Sequence, residues 1–392
     1  MRSFSVSHVA AGFIAVLVGY TSSAAIVFQA AIVFQAASAA GATPAQLGSW
    51  MWALGLGMGV TCIGLSLKFR VPMLTAWSTP GAALLATALV GHSMGEAVAA
   101  FLVSSLLITL TGLFGWTDRI LRHIPPALAS AMLAGILLPF CLGLFTSLAE
   151  APVLVATMLA IYLLGRHRVP RMVVPLTLVA GLAICAAQGS LRADAFTLAL
   201  ASPVPMWPAP TVSAVFGVGL PLYIVTMASQ NLPGLAVLRA NGYDTPASPL
   251  LVGTGATGLL LAPFGGFAFN LAAITAAICM SPNADPDPAR RYLAAVWAGA
   301  FYLVAGIFGA TAATLLGGLP HALVVSIAGL ALLGTVAGSL TGALQGEDDR
   351  QAALLVFLVT ASGMSLFGIG GALWGLLLGL AARHLERRLK AR

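Results

Sequence analysis

The sequence predicts an all-α polytopic membrane protein with 14 transmembrane segments. Three observations carry that prediction. Mean hydropathy is +0.99, with 59% hydrophobic and 7% charged residues, where a soluble domain holds roughly 25% charged residues. Apolar stretches long enough to span a bilayer, roughly 20 residues each, recur along all 392 residues. The basic residues between those stretches fall almost entirely on one side.

The segments follow in order. The first, 9–37, comes after Arg2 and is far longer than the ~7–15 apolar residues of a cleaved leader, so it reads as a retained span. Spans two to seven are read at 46–67, 72–90, 96–117, 126–145, 151–164 and 171–187. The hydrophilic stretch from Gln188 to Pro210, rich in proline, reads as a connector. Spans eight to 14 follow at 211–237, 248–262, 263–280, 292–315, 320–343, 351–365 and 369–382. With both termini cytoplasmic, 17 of the 18 Lys and Arg residues lie on the inner side and only Arg192 lies outside. The positive-inside rule requires this asymmetry, and one misplaced span would reverse every later loop. The net charge of +7 therefore marks topology in a lipid bilayer, with no nucleic-acid partner needed.

Other classes fall away. The four cysteines sit inside apolar segments without metal spacing and read as buried thiols. No His/Glu metal pattern, Ser/His/Asp set or nucleotide loop is present, so the chain reads as no enzyme, with no cofactor or metal. A secondary carrier leads, with a passive channel as the alternative.

Two spans are interrupted. The run from Val71 to Gly81, VPMLTAWSTPG, and that from Ala262 to Asn270, APFGGFAFN, each open on a small apolar residue and Pro. Each continues in strand-like residues and releases into a small-residue helix. Interruptions at matching places in two halves are the best sequence pointer to a carrier's binding site. The halves echo elsewhere: IPPAL from Ile124 returns as LPHAL from Leu319, 195 residues on, and Pro72 and Pro263 are 191 apart. Seven spans per half is odd, so the copies, 1–190 and 191–392, are expected to be inverted repeats. A local repeat, AAIVFQ at Ala24 and again at Ala30, rotates its two glutamines about 240° apart on a helix. Either it lengthens one helix end, or one glutamine faces the site.

These residues resemble the BenE family of bacterial benzoate transporters. GYTSSAA from Gly19, the VPMLTAWSTPGA run, ASQNLPG from Ala228, PFGGFAFNLAAI from Pro263 and DPDPARRY from Asp285 carry the resemblance. It implies inner-membrane uptake of benzoate coupled to protons, and a seven-plus-seven fold shared with nucleobase and sulfate transporters. In that fold a core domain, about 1–117 and 211–315, moves against a gate, about 118–190 and 316–382. It also implies dimers through the gate, so a homodimer is expected. A carrier for another small anion or a nucleobase-like ring is the nearest alternative.

A benzoate site needs donors for the carboxylate and walls for the ring. The half-helices beginning near Thr79 and Asn270 present N–H groups and positive dipole ends. Ser78, Thr79 and Asn270 add donors, and the same residue types also serve as caps. Trp77, Phe267 and Phe269 are candidate walls, and alternation in an extended segment puts Phe267 and Phe269 on one face. Gln230 and Asn231 are costly in hydrocarbon without partners and are expected to face the interior, with Tyr20 and Ser22 at the comparable place in the first half. Polar residues in spans also act as interhelical glue. All 11 acidic residues lie in loops, at their edges or in the tail, which suits an anionic substrate. The proton then rides on the substrate, or passes through Glu96, Asp118, Asp285, His92 or His321.

Overall fold

The computed structural model describes residues 8–9, 12–13, 25–116, 125–168, 173–191, 198–272, 274–280, 284–311, 318–366 and 369–390. The first half runs α1 (Ala25–Ala39), α2 (Pro44–Phe69), β1 (Thr75–Trp77), α3 (Thr79–Ala88), α4 (Met94–Leu113), α5 (Pro126–Glu150), α6 (Pro152–Arg168) and α7 (Val173–Ala187). In the second, a helical run α8 (Ser213–Arg239) is followed by α9 (Ala247–Leu261), β2 (Phe269–Leu271) and α10 (Ile274–Met280). Then come α11 (Tyr292–Ile307), α12 (His321–Leu344), α13 (Arg350–Ala361), β3 (Ser365–Leu366), β4 (Ile369–Gly370) and α14 (Gly371–Lys390). Among the described residues, six helical runs are long and apolar enough to cross a bilayer. Each span read from the sequence carries helix.

Local chemistry sets the helix ends. Thr43 and Gln46 form a reciprocal capping box at the start of α2, as do Ser93 and Glu96 at the start of α4. α5 and α12 instead start from Pro125 (φ −59°, ψ 136°) and Pro320 (φ −59°, ψ 139°), proline fixing φ close to this value. Pro125 and Pro320, 195 residues apart, thus adopt one backbone conformation. α8 is unlike its neighbours. It widens into π-helical turns at Ser213–Gly219 and Met227–Asn231, each ending just ahead of Pro221 or Pro233. Those prolines lack the N–H that the carbonyls of Gly217 and Ser229 would take in an α-helix.

Helices pack in pairs: α2 on α11, α4 on α9, α5 on α12, α6 on α7 and α13 on α14. Glycine permits the closest of these approaches, because lipid supplies no hydrophobic drive between helices and packing must. A Cβ on Gly55 of α2 would stand 2.4 Å from Gly306 Cα of α11, and one on Gly299 would stand 2.9 Å from the Gly59 carbonyl. At α4–α9, a Cβ on Gly255 would meet Thr109 Oγ1 at 2.3 Å.

The connector straps one face. Val204 N–H donates to Ser49 Oγ (2.9 Å), and Ala201 N–H donates to the Ile307 carbonyl (2.8 Å). Met206 N–H donates to the Pro263 carbonyl (2.7 Å) and Ala209 N–H to the Gly95 carbonyl (2.9 Å). It therefore touches the ends of α2, α4, α9 and α11. On the opposite face buried His8 Nε2 meets Asp285 Oδ2 at 2.6 Å, while Arg291 donates to the carbonyls of Asp285 and Met280. Burial raises the Asp285 carboxyl's pKa. The Asp287 N–H, His8 and Arg290 outweigh that and hold it below the ordinary value of 3.8.

Two predictions follow from this packing. Gly55→Leu should lower the melting temperature of the detergent-purified protein, by about 1–3 kcal/mol of overpacking, whereas Gly64→Leu, facing open space, should not. Because the folded pKa of Asp285 is depressed, its stabilisation is complete above pH 3.8 and lost as pH falls through the folded value. Acid melting curves should therefore flatten in Asp285→Asn, and an unchanged slope would remove Asp285 from the effect.

Candidate binding site at the buried ribbon

The two interrupted spans meet. β1 and β2 pair antiparallel, with Thr75 opposite Leu271, Ala76 opposite Asn270 and Trp77 opposite Phe269. α3 leaves from the end of β1, and α10 begins three residues beyond β2. Both helices thus point their N-terminal ends toward the ribbon, which lies in the buried middle of the bundle. The strands are three residues each.

Side chains complete the ribbon's edges. From α2, Ser66 Oγ exchanges bonds with Met73 N–H and carbonyl (both 3.1 Å), Cys62 Sγ accepts from Thr75 N–H (3.1 Å), and Thr61 Oγ1 meets Thr75 Oγ1 at 2.5 Å. On the far edge Asn231 Oδ1 accepts from Leu271 N–H (3.0 Å). Ser78 N–H and Asn270 Nδ2 both donate to the Ala268 carbonyl, at 3.1 and 3.0 Å. Ala268 makes this convergence at φ 47°, a conformation that costs a non-glycine residue about 1–3 kcal/mol.

The sequence-derived candidates separate by position. Ser78 is the N-cap of α3: its Oγ accepts from Gly81 N–H at 3.0 Å, which leaves the hydroxyl proton to donate. Pro80 has no N–H, and the Ala82 N–H goes to the Ser78 carbonyl, so the first turn's remaining donors are those of half-buried Thr79. Asn270 is buried, and its Oδ1 has no hydrogen-bond partner. Buried Asn231 is committed to β2 through Oδ1 and to Met227 Sδ through Nδ2 (3.3 Å). Gln230 is half-buried on the same π turn, a distortion frequent at functional positions.

Trp77 closes β1, buried and opposite Phe269. Phe267 packs with Trp50 (centroids 5.8 Å) and Phe101 (5.3 Å). Phe269 presses on Gly57, where a Cβ would come within 2.2 Å of its ring. Both Phe rings are thus occupied by helix packing against α2. The left-handed Ala268 between them interrupts the alternation expected to put them on one face. Tyr20 and Ser22 lie outside the described residues, as does Asp118. Of the other proton-carrier candidates, Glu96 closes the α4 capping box and receives the Thr211 hydroxyl (2.8 Å), Asp285 holds His8, and His92 Nε2 meets Ser213 Oγ at 2.9 Å. His321 is exposed at the start of α12.

The Ser66–Cys62–Thr61 ladder was missed by sequence reasoning. Its signal was present: Cys62 and Ser66 are four residues apart, on one face of α2.

The profile of the benzoate membrane transport protein family, BenE, matches residues 2–385. The chain belongs to that family. Its members are membrane transport proteins, and the chain is a transporter rather than an enzyme. It is 38% identical over 390 residues to the benzoate membrane transport protein of Acinetobacter baylyi, covering 100% of this chain and 98% of that one. It is 49% identical over 381 residues to the inner membrane protein YdcO of Escherichia coli, covering 97% and 96% respectively. In fold, this BenE-family chain is similar to the transmembrane domain of the cyanobacterial bicarbonate transporter BicA. That match has a TM-score of 0.61 at 16% identity over 96% of both chains.

Asn231→Ala should strand the Leu271 N–H and lower thermal stability, a loss of about 1–3 kcal/mol. Asn231→Asp keeps the acceptor and should recover part of it. Melting curves of the three proteins in detergent check this, and equal stabilities would remove the bond from the ribbon's support.

Proposed function

We propose that the chain imports benzoate or a similar aromatic monocarboxylate across the bacterial inner membrane together with protons. The observation carrying this reading is a ribbon flanked by the beginnings of two helices, with neutral donors around it. Thr79, the Ser78 hydroxyl and Gln230 receive the carboxyl group, and Trp77 supplies a ring wall. The family and the name of the Acinetobacter relative support the substrate class.

The proton travels on the substrate. Asn270 Oδ1 is buried without a partner and suits a carboxylic acid O–H, since a neutral acid avoids the desolvation cost of a carboxylate. Among the described residues no acidic side chain flanks the ribbon.

The mechanism is alternating access across 14 spans with both termini cytoplasmic, arranged as inverted repeats 1–190 and 191–392. The core (about 1–117 and 211–315) moves against the gate (about 118–190 and 316–382). Packing supports the repeat: exchanging each helix with the one seven later turns α2–α11 into α9–α4, α6–α7 into α13–α14, and α1–α3 into α8–α10, all of which are contacts. β1–β2 and α5–α12 map onto themselves. A homodimer through the gate follows from the same reading.

Uptake of labelled benzoate into proteoliposomes tests it. An inward-directed proton gradient should accelerate saturable uptake, and Asn270→Ala should lower it at least tenfold with insertion unchanged. Uptake indifferent to the gradient would sink proton coupling, and the absence of saturable uptake of any aromatic acid would sink the substrate assignment.

A further inference from the structure

α8 changes its winding twice, and both changes share one pattern. Leu220 N–H donates to the Val215 carbonyl and Leu232 N–H to the Met227 carbonyl, five residues back in each case. Each leucine is followed by a proline, Pro221 or Pro233. A proline ring clashes with the carbonyl four residues before it and offers that carbonyl no N–H, and a wide turn just ahead relieves the clash. Proline alone does not impose such a turn, since Pro139 sits inside α5 without one. On α8 the neighbours select it.

The second turn joins two sets of contacts that one straight helix could not make together. Before it, the Tyr223 hydroxyl meets Thr111 Oγ1 of α4 at 2.7 Å. Leu222 packs on α3, where a Cβ on Gly81 would come within 2.8 Å of it. At and after the turn, Asn231 Oδ1 accepts from Leu271 N–H (3.0 Å), and a Cβ on Gly234 would stand 2.6 Å from the Leu271 side chain. A wide turn holds one residue more than an α turn, so it offsets the side chains after it by about 100° from those before it. With Leu222 and Tyr223 seated on α3 and α4, an unbroken α-helix would aim Asn231 and Gly234 away from β2 by about that angle. The turn is also pinned from within: Asn231 Nδ2 donates to Met227 Sδ (3.3 Å) and Ser229 Oγ to the Val225 carbonyl (2.6 Å). Gln230 lies between these two pinned residues.

We propose that Pro233 is a positioning residue for the transport site. By withholding an N–H from the Ser229 carbonyl, it removes the bond that an α turn there would gain. The wide turn then keeps Asn231 on β2 and holds Gln230 where it reaches the carboxyl group. With an N–H at position 233 the α turn becomes competitive, and both amides swing by about 100°. For Gln230 the inference rests on the aromatic-acid reading of the substrate, and for Asn231 it stands on the ribbon alone.

Pro233→Ala restores the N–H and tests this. Its KM for benzoate in proteoliposomes should rise about fivefold or more, with Vmax held within about twofold. Gln230→Ala, which raises KM in the wild type, should add less than about twofold in that background. Asn231→Ala should shift the melting temperature of Pro233→Ala by less than about half of its shift in the wild type. A lactic acid ester placed at position 233 by nonsense suppression lacks the N–H as proline does, and should return KM and the Asn231→Ala shift to wild-type values. A merely structural proline would lower the melting temperature while leaving KM unchanged and both pairings additive, and that result would overturn the proposal. So would an ester whose KM stays about fivefold above wild type, and this variant decides the matter should Pro233→Ala not yield monodisperse protein. Wild-type protein that takes up no benzoate would sink the transport reading alone. The Asn231→Ala shift would then still decide the role of Pro233, an equal shift in both backgrounds overturning it and a halved one upholding it.

Discussion

The structure depends on one constraint: an extended backbone buried in a membrane protein must find every hydrogen-bond partner within the protein. β1 and β2 meet it by pairing with each other and by borrowing side chains at their outer edges. Ser66 and Cys62 supply one edge and Asn231 the other. Those donors and acceptors must approach within about 3 Å, and this sets how closely α2 and α8 stand against the ribbon. The glycines follow. Gly57 makes room for Phe269 and Gly234 for Leu271, because a ribbon held so tightly leaves no space for a Cβ on its supports.

The proposed site economises on charge. Two helix beginnings and a few neutral amides and hydroxyls provide donors without the penalty of burying a lysine or arginine. Ser78 serves the helix with its lone pair and retains a proton, while Ala268 accepts a strained backbone so that two donors can converge on its carbonyl. Local strain of this kind persists where the surroundings over-determine it, and here strand pairing and aromatic packing both do so.

Much of this was legible in the sequence, and the exceptions are instructive. The Pro/Gly interruptions located the broken segments, and helix lies within each apolar segment. The sequence offers two near-equal offsets between the halves, 195 from the proline motifs at Ile124 and Leu319 and 191 from Pro72 and Pro263, yet Ala76 lies opposite Asn270, 194 residues on. The reason is local: a 3-10 turn at Ala262–Phe264 and the pair Gly265–Gly266 lengthen the approach to β2. Proline spacing therefore did not report strand register. The fate of Phe267 was equally hidden, since Trp50 and Phe101 reach it from helices distant in sequence. Asn231 read as a polar group in need of a partner, but which partner depended on the tertiary approach of α8 to β2.

The register has a consequence in time. β1 is synthesised 194 residues before the strand that completes it, an interval of about 10–40 s at the usual rate of roughly 5–20 residues per second. Throughout that interval the first half can satisfy only one edge of β1, through the hydroxyls and thiol of α2. The nascent first half is thus an unfinished structure with a live hydrogen-bonding edge inside the membrane. Arrival of β2 ends its exposure to lipid and to other chains, so biogenesis of this fold is a closing reaction between two halves rather than the stacking of finished spans.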